Sequence, residues 1–322
     1  MEYKAVLLSI VVPAYNEQEV LPEFHKRLSQ VVSEIDMDIE IIYINDGSTD
    51  ETLALLSNLH DTDARVAIID LSRNFGKEIA LTAGLHHANG DAVVVIDADL
   101  QDPPELIPTF IKEWKNGYDV VYAKRSIRHG ESLIKKATAN IFYRIMQRIG
   151  NVQLPEDTGD YRLLNKKALN ALNTLDEKNR FMKGLFAWIG FKQKAVLYKR
   201  DPRHAGTTKW NYWKLWNFAL DGITSFTTAP LRISTYLGLF TALGAFLYGT
   251  YTIIQTLVYG SEVPGYPSLI VIILFIGGIQ LTAIGVLGEY LGRIFGEIKN
   301  RPLYFINDHL PRKKQTKSNK DK

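Results

Sequence analysis

The chain has 322 residues, with 38 Lys and Arg against 35 Asp and Glu, seven His and no Cys. A net charge of +3 is too mild to point to nucleic acid as a partner. Without cysteine there are no disulfides, zinc–thiolate sites or thiol chemistry.

Hydropathy divides the chain. Residues 1–210 read as soluble, and the N-terminus lacks the layout of a signal peptide. In order, Leu8–Val12 is a first strand, and Pro13, Ala14, Tyr15, Asn16 and Glu17 form the loop at its carboxyl end. A helix is predicted over about 19–34, then a strand over 39–44 ending at Asn45-Asp46-Gly47-Ser48-Thr49-Asp50. Ser48 or Thr49 can cap the next helix, with Asp50 and Glu51 in its first turn. Val66–Leu71 is a third strand, followed by the loop Arg73-Asn74-Phe75-Gly76-Lys77 and a helix over about 77–88. His86 and His87 are neighbours that cannot share a helix face, which makes them structural or surface residues. Ala92–Ile96 is an apolar run that reads as a buried strand. It runs into Asp97-Ala98-Asp99-Leu100-Gln101-Asp102-Pro103-Pro104-Glu105, where the prolines stop the strand and open a helix over about 105–116. Asp119–Ala123 makes a fifth strand.

Strands alternating with helices imply βαβ units and an α/β domain with a mostly parallel, Rossmann-like sheet. The polar loops then gather on one sheet edge, where open α/β folds bind ligands.

Beyond this, 132–149 reads as a basic amphipathic helix, suited either to packing or to a membrane surface. Trp210, Trp213 and Trp216 mark an interfacial helix over about 211–226, with 211–231 as linker. Residues 233–258 contain no charged side chain, and 269–291 contain only Glu289. Both exceed the roughly 20 residues needed to span about 30 Å of hydrocarbon. Arg232, Arg293, Lys299 and Arg301 flank the runs, and the loop 259–268 has no Lys or Arg. The positive-inside rule therefore places the N-terminal domain and both termini in the cytoplasm. Residues 296–322 read as a basic cytoplasmic tail, with 312–322 expected to be disordered and able to rest on anionic lipid.

Four groups need a common explanation. Asp97 and Asp99, with the carbonyl oxygen of Gln101, are hard oxygen donors of the kind that bind Mg²⁺ or Mn²⁺, although an Asp-x-Asp can also be a plain acidic turn. Glu17 and Asp46 can hydrogen-bond a base or ribose. Arg73, Lys77, Arg125 and Arg128 can bind phosphates; the alternatives are that Arg73 and Lys77 neutralise nearby carboxylates and that Arg125 and Arg128 are solvated surface charges. Two spans hold all of this near lipid. A nucleotide-bound donor and a lipid phosphate acceptor would use all four.

The motifs at 13–17, 45–48, 73–77 and 97–105, in this order, resemble the motif series of family 2 inverting glycosyltransferases with the GT-A fold. Thr158-Gly159-Asp160-Tyr161-Arg162-Leu163, Phe181-Met182-Lys183-Gly184, Lys214-Leu215-Trp216-Asn217 and Gly285-Val286-Leu287-Gly288-Glu289-Tyr290, with the two spans, resemble the bacterial polyprenyl-phosphate (bactoprenol) glucosyltransferases, relatives of dolichyl-phosphate mannose synthases. The resemblance covers residues 8 to about 306. It implies a nucleotide site at Pro13, Tyr15, Glu17, Asp46, Lys77 and Asp97, and metal ligands at Asp97, Asp99 and Gln101. It further implies a catalytic aspartate at Asp160, acceptor-phosphate residues at Arg125 and Arg128, and a donor-covering loop with Arg200, Arg203 and Lys209. The implied reaction moves a hexose, with UDP-glucose the first choice, to undecaprenyl phosphate with inversion, in a homo-oligomer of the inner membrane. UDP-N-acetylglucosamine and GDP-sugars stay open as donors. The family often has Asp where Asn45 stands, and Thr208 and Trp210 replace a usual Ser and Tyr. A processive polysaccharide synthase is disfavoured, because no Trp here follows an Arg and only two spans are present. A non-catalytic nucleotide-sugar-binding scaffold is the other alternative, and the intact Asp97, Asp99 and Asp160 argue against it.

Overall fold

In the computed structural model, residues 6–126, 158–199, 229–260 and 265–313 are described. The strands are β1 (Leu7–Ala14), β2 (Asp38–Asn45), β3 (Val66–Leu71), β4 (Ala92–Val95), β5 (Val120–Arg125), β6 (Thr158–Asn165), β7 (Gln193–Tyr198) and β8 (Ile306–Leu310). They form one sheet in the order β7-β5-β6-β4-β1-β2-β3-β8. Pairings β1–β2, β1–β4, β2–β3 and β5–β7 are parallel. Those of β6 with β4 and β5, and of β8 with β3, are antiparallel.

The central strands are apolar almost throughout because helices cover both faces. Ile10, Val12, Ile41, Tyr43 and Val94 turn to one face, where they meet Phe24 and Leu28 of α1 (Leu21–Ser33) and Phe110 of α4 (Ile107–Lys115). Leu56 of α2 (Thr52–Thr62) joins the same cluster. Val11, Ile42, Ile44, Val93 and Val95 turn the other way. There they meet α3 (Lys77–His87), α5 (Lys166–Asn173) and α6 (Met182–Trp188) through Leu81, Leu169 and Phe186.

Several expectations shift. Ser48 and Thr49 do not cap α2. Ser48 Oγ accepts from the Asn16 amide (3.0 Å), and the Thr49 amide donates to Asn16 Oδ1 (2.8 Å), so the two residues join the first two loops. Asp50, the next residue, instead has its Oδ1 accepting from the amide of Thr52, the first residue of the helix. The helix after the double proline begins as a 3₁₀ turn, Pro104–Leu106, because a proline ring suits the first turn and lacks an N–H the turn does not use. The segments expected as helices at 132–149 and 211–226 lie outside the described residues.

Within the segment read as a basic tail, residues 306–310 form β8, the outer strand of the sheet. Arg312 makes a bidentate ion pair with Asp38, and Lys313 pairs with Asp61. Behind β8, Asp70 accepts from Asn307 Nδ2 (2.8 Å) and from Asn45 Nδ2 (2.7 Å). That explains the amide at position 45, since a carboxylate there would face Asp70. His86 and His87 prove structural: His86 Nδ1 lies 3.1 Å from Tyr304 Oη, and His87 packs edge-on to His309.

The apolar runs form α7 (Ala229–Tyr259) and α8 (Tyr266–Ile298), longer than expected at both ends. At 1.5 Å per residue they reach about 46 and 50 Å, more than a hydrocarbon core needs. Each contains a stretch long and apolar enough to cross a membrane, and neither stretch is buried. Phe240, Leu257 and Leu274 stand outward, unlike the helices of a soluble core. The end of α8 meets the domain, where Glu297 accepts from the amides of Lys178 and Asn179.

Candidate active site

The carboxyl ends of β1, β2, β3 and β4 deliver the four loops to one edge. Asn16 sits at φ 53° and Leu100 at φ 60°, the left-handed region that non-glycine residues seldom occupy and that clusters at functional sites. Gly47, at φ 63°, lets loop 45–50 touch loop 72–76. A Cβ there would lie 2.4 Å from the Arg73 carbonyl carbon.

The antiparallel strand β6 completes the site, which alternation of strands and helices alone does not reveal. Val95 of β4 lies opposite Arg162 of β6, so continuing that register sets Asp97 against Asp160. Lys77, at the start of α3, bridges the two: its Nζ is 2.6 Å from Asp97 Oδ2 and 2.8 Å from Asp160 Oδ2. The Lys77 side chain is 45 % exposed and that of Asp160 only 7 %, so the pair is open to water on the lysine side.

Burial alone would raise the Asp160 carboxyl. The cations Lys77, Lys183 and Arg162 outweigh it and hold the group well below the usual carboxylate range. Burial likewise disfavours the Lys77 ammonium, but Asp160 and Asp97 push its value well above normal. Arg162 is buried, stacks over Phe186 at 3.8 Å and donates to the Gly159 carbonyl at 2.7 Å. Its burial brings it down to about 10. Glu78, next to Lys77, accepts from the Met182 amide (3.1 Å) and is pushed up to about 7 by burial and by Asp160. Asp160 Oδ1 is buried without a hydrogen-bond partner. A buried, unpaired carboxylate oxygen is costly and marks a place where a further group belongs.

The other expected residues fall as follows. Asp46 is buried, and its two oxygens accept from the amides of Phe75 (2.7 Å) and Gly76 (2.9 Å). Its carboxylate thus holds the third loop in place, and burial raises it. Pro13, one residue before the end of β1, lies opposite Ile44. Tyr15 follows it on the same loop, and the Glu17 amide donates to Thr52 Oγ1. Arg73 lies over the Phe75 ring at 4.1 Å. Arg125 closes β5 beside the start of β6. Lys77 pairs with carboxylates, one of the two readings open to it. Arg128, Arg200, Arg203 and Lys209 lie outside the described residues.

Asp99 Oδ1 accepts from the Gln101 amide (3.1 Å), fixing the turn that carries both acids. Among the described residues no three His, Asp or Glu side chains form a closed cage. Two carboxylates and a main-chain carbonyl on a strand-end loop nevertheless fit a divalent ion of the Mg²⁺ type. Such ions are held by one or two carboxylates plus substrate phosphates rather than by an all-protein shell. Sequence reasoning gave no role to Glu78, Arg162 or Lys183. The last two sit inside motifs quoted for the resemblance, which was the only signal available.

Comparison with known proteins gives the family. Residues 9–172 match the family model "Glycosyl transferase family 2", and residues 229–294 match "GtrB C-terminal hairpin". An uncharacterized glycosyltransferase of Synechocystis is 52 % identical over 301 residues, covering 94 % of this chain and 95 % of that protein. The SfII prophage-derived bactoprenol glucosyl transferase of Shigella flexneri is 50 % identical over 299 residues (93 % and 97 %). The bactoprenol glucosyl transferase of Shigella phage SfV is 50 % identical over 301 residues (94 % and 98 %). Among solved structures, the Mycobacterium tuberculosis glucosyl-3-phosphoglycerate synthase aligns with a TM-score of 0.44 and 21 % identity, covering 68 % of this chain and 78 % of that one. A sheet edge that gathers four polar loops, an antiparallel strand that returns an aspartate to it and an apolar helical hairpin belong together: this chain is a member of glycosyl transferase family 2 that carries the GtrB C-terminal hairpin.

Proposed function

We propose that the protein transfers glucose from UDP-glucose to undecaprenyl (polyprenyl) phosphate, with inversion, at the cytoplasmic face of the inner membrane. The observation that carries this is Lys77 held between Asp97 and Asp160 at the edge where the nucleotide loops meet. The names of the half-identical relatives support glucose and bactoprenol as the two partners.

The residues divide the work. Pro13, Tyr15, Glu17 and the loop held by Asp46 surround the base and ribose. Asp97, Asp99 and the Gln101 carbonyl hold a divalent ion, Mg²⁺ or Mn²⁺, which when bound offsets the charge growing on the leaving diphosphate. Arg125 and Arg128 bind the acceptor phosphate, and Arg200, Arg203 and Lys209 cover the donor. An acceptor phosphate oxygen attacks the anomeric carbon as its bond to the diphosphate breaks, on the opposite face, so an α-linked donor gives a β-linked lipid phosphate. A phosphate monoester has its second pKa near about 6 and needs no base at neutral pH. Asp160, held ionised by its cations, orients groups and steadies positive charge at the anomeric carbon instead.

The cytoplasmic orientation is supported by two features. The flanking Arg and Lys obey the positive-inside rule. In addition, β8 pairs with β3, so the chain returns to the catalytic domain after its second apolar helix. The test is transfer by membranes containing the protein, with undecaprenyl phosphate and a panel of labelled nucleotide sugars. UDP-glucose should label the lipid. Chelation should stop transfer, Mg²⁺ or Mn²⁺ should restore it, and Asp99→Ala should nearly abolish it with membrane insertion intact. Labelling from a different sugar alone would overturn the glucose assignment, and full activity under chelation would overturn the metal.

A further inference from the structure

Asp160 stands on an irregular part of β6. Tyr122 of β5 lies opposite Arg162 and Lys124 opposite Thr158, so Gly159, Asp160 and Tyr161 together face the single residue Ala123. On its other side β6 pairs with β4 as far as Arg162, opposite Val95, where β4 ends. Extra residues of this kind bend a strand, re-aim a side chain and take backbone groups out of the ladder. Buried carbonyls outside a ladder need another donor.

Arg162 supplies it. Its Nη2 donates to the Gly159 carbonyl at 2.7 Å and its Nε to the Asp160 carbonyl at 3.2 Å. The guanidinium is a rigid planar fork, so two bonds from one group fix the two carbonyls relative to each other. Arg162 is 5 % exposed, and its flat face lies on the Phe186 ring of α6 at 3.8 Å. Helix α6 is itself tied to α3: the Met182 amide donates to Glu78 Oε2 (3.1 Å), and the Thr82 hydroxyl donates to Met182 Sδ (3.7 Å). Tyr161, between Asp160 and Arg162, turns to the opposite face, where its phenol donates to the Pro103 carbonyl at 2.8 Å. The stretch is thus held from both faces, and between the two holds Asp160 presents its carboxylate to Lys77. Burying a guanidinium is costly, and an apolar side chain would pack on Phe186 without that cost. What Arg162 adds over an apolar residue is the pair of bonds to residues 159 and 160.

We infer that Arg162 is a positioning residue for Asp160: by clamping the Gly159 and Asp160 carbonyls it holds the bend of β6 that aims the carboxylate at Lys77 and Asp97. The inference rests on the role proposed above for Asp160 in sugar transfer. It gives Arg162 a duty of shape as well as of charge.

The experiment uses the full chain in lipid bilayers, with UDP-glucose and undecaprenyl phosphate each varied at saturating levels of the other. Arg162→Lys keeps the positive charge but removes the fork and the flat stacking face. It should lower kcat roughly 10²-fold, the loss expected when a reacting group is misplaced by about 1 Å. Both KM values should stay within about twofold, because the group that Arg162 holds acts in the transition state. In Asp160→Asn, which has no carboxylate to aim, the same Arg162→Lys change should cost no more than about threefold. Phe186→Leu removes the stacked ring and should show the same dependence on Asp160 with a smaller loss, and it carries the test where Arg162→Lys does not fold. A brace of the fold alone would cost the same factor with and without the carboxylate at position 160. Equal losses in the two backgrounds, or an unchanged kcat in Arg162→Lys, overturn the inference and leave the transferase reading intact. A wild-type chain that glycosylates no polyprenyl phosphate removes both.

Discussion

Asp160→Asn separates two accounts of the reaction. Asp160 Oδ2 lies 2.8 Å from Lys77, and Lys183 and Arg162 add to the positive field. This field keeps the carboxylate ionised far below neutral pH. A general base works best with a pKa near the working pH, so Asp160 is poorly suited to removing a proton. Its contribution is charge. At an effective dielectric near 20, a unit charge about 5 Å from a developing cation is worth about 3 kcal/mol, a little over two powers of ten in rate. Asp160→Asn should thus lower kcat roughly 10²–10³-fold, the size found when one fixed electrostatic group is removed. The loss should be equal at every pH between about 6 and 9, leaving the shape of the profile unchanged, because the limb near pH 6 belongs to the acceptor phosphate. The folded value of Asp160 is depressed, so the stability it lends is present above its unfolded value of about 4 and is lost only as pH falls further. Asp160→Asn loses that stability equally across about pH 6–9, so it cannot reshape the profile, and thermal unfolding of the variant shows that it stays folded at the assay temperature. Asp160→Asn also relieves Glu78, so kcat profiles with and without Glu78→Gln identify any limb that group adds. An acid limb in the wild type that vanishes in Asp160→Asn, but survives Glu78→Gln, would refute this reasoning and make Asp160 a base.

Glu78→Gln should stabilise the protein, and more so at high pH. The folded value of Glu78 lies above its unfolded one, so the stability this carboxyl lends is complete below about pH 4.5 and lost as pH rises through about 7. Thermal unfolding should show a gain larger at pH 8 than at pH 5 by roughly 2–3 kcal/mol, and an equal gain at both would contradict the sign. Asn45→Asp should destabilise by about 3 kcal/mol, since it sets a second buried carboxylate against Asp70, 2.7 Å from the present amide. Adding Asp70→Asn should recover most of the loss in a double-mutant cycle, and independent, additive losses would deny the contact.

The first five strands, the loops between them and the two long apolar helices were legible in the sequence. Their signals are local. An apolar run with Pro, Gly or Asp at its end reads as a buried strand wherever it lies, and an uncharged run of more than 20 residues has few homes but a bilayer. Asp97 and Asp99 were visible as candidates for the same reason, because both sit where such a run stops. The partners of these groups were not legible. Lys77 precedes Asp97 by 20 positions and Asp160 by 83, and only the antiparallel insertion of β6 beside β4 brings the three within 3 Å. Asp102 and Tyr198, 96 positions apart, meet in the same way. The segment 306–310 carries no strand signal of its own, with an asparagine, an aspartate and a histidine among five residues, and it becomes β8 because β3 offers an open edge. Local pattern thus determined the elements and the candidate ligands they carry, and the motif resemblance supplied the class of chemistry. The pairing of charges, which sets the ionisation of Asp160, Lys77 and Glu78, was decided by strand order alone, because a field of a few ångströms depends on which chain segments become neighbours.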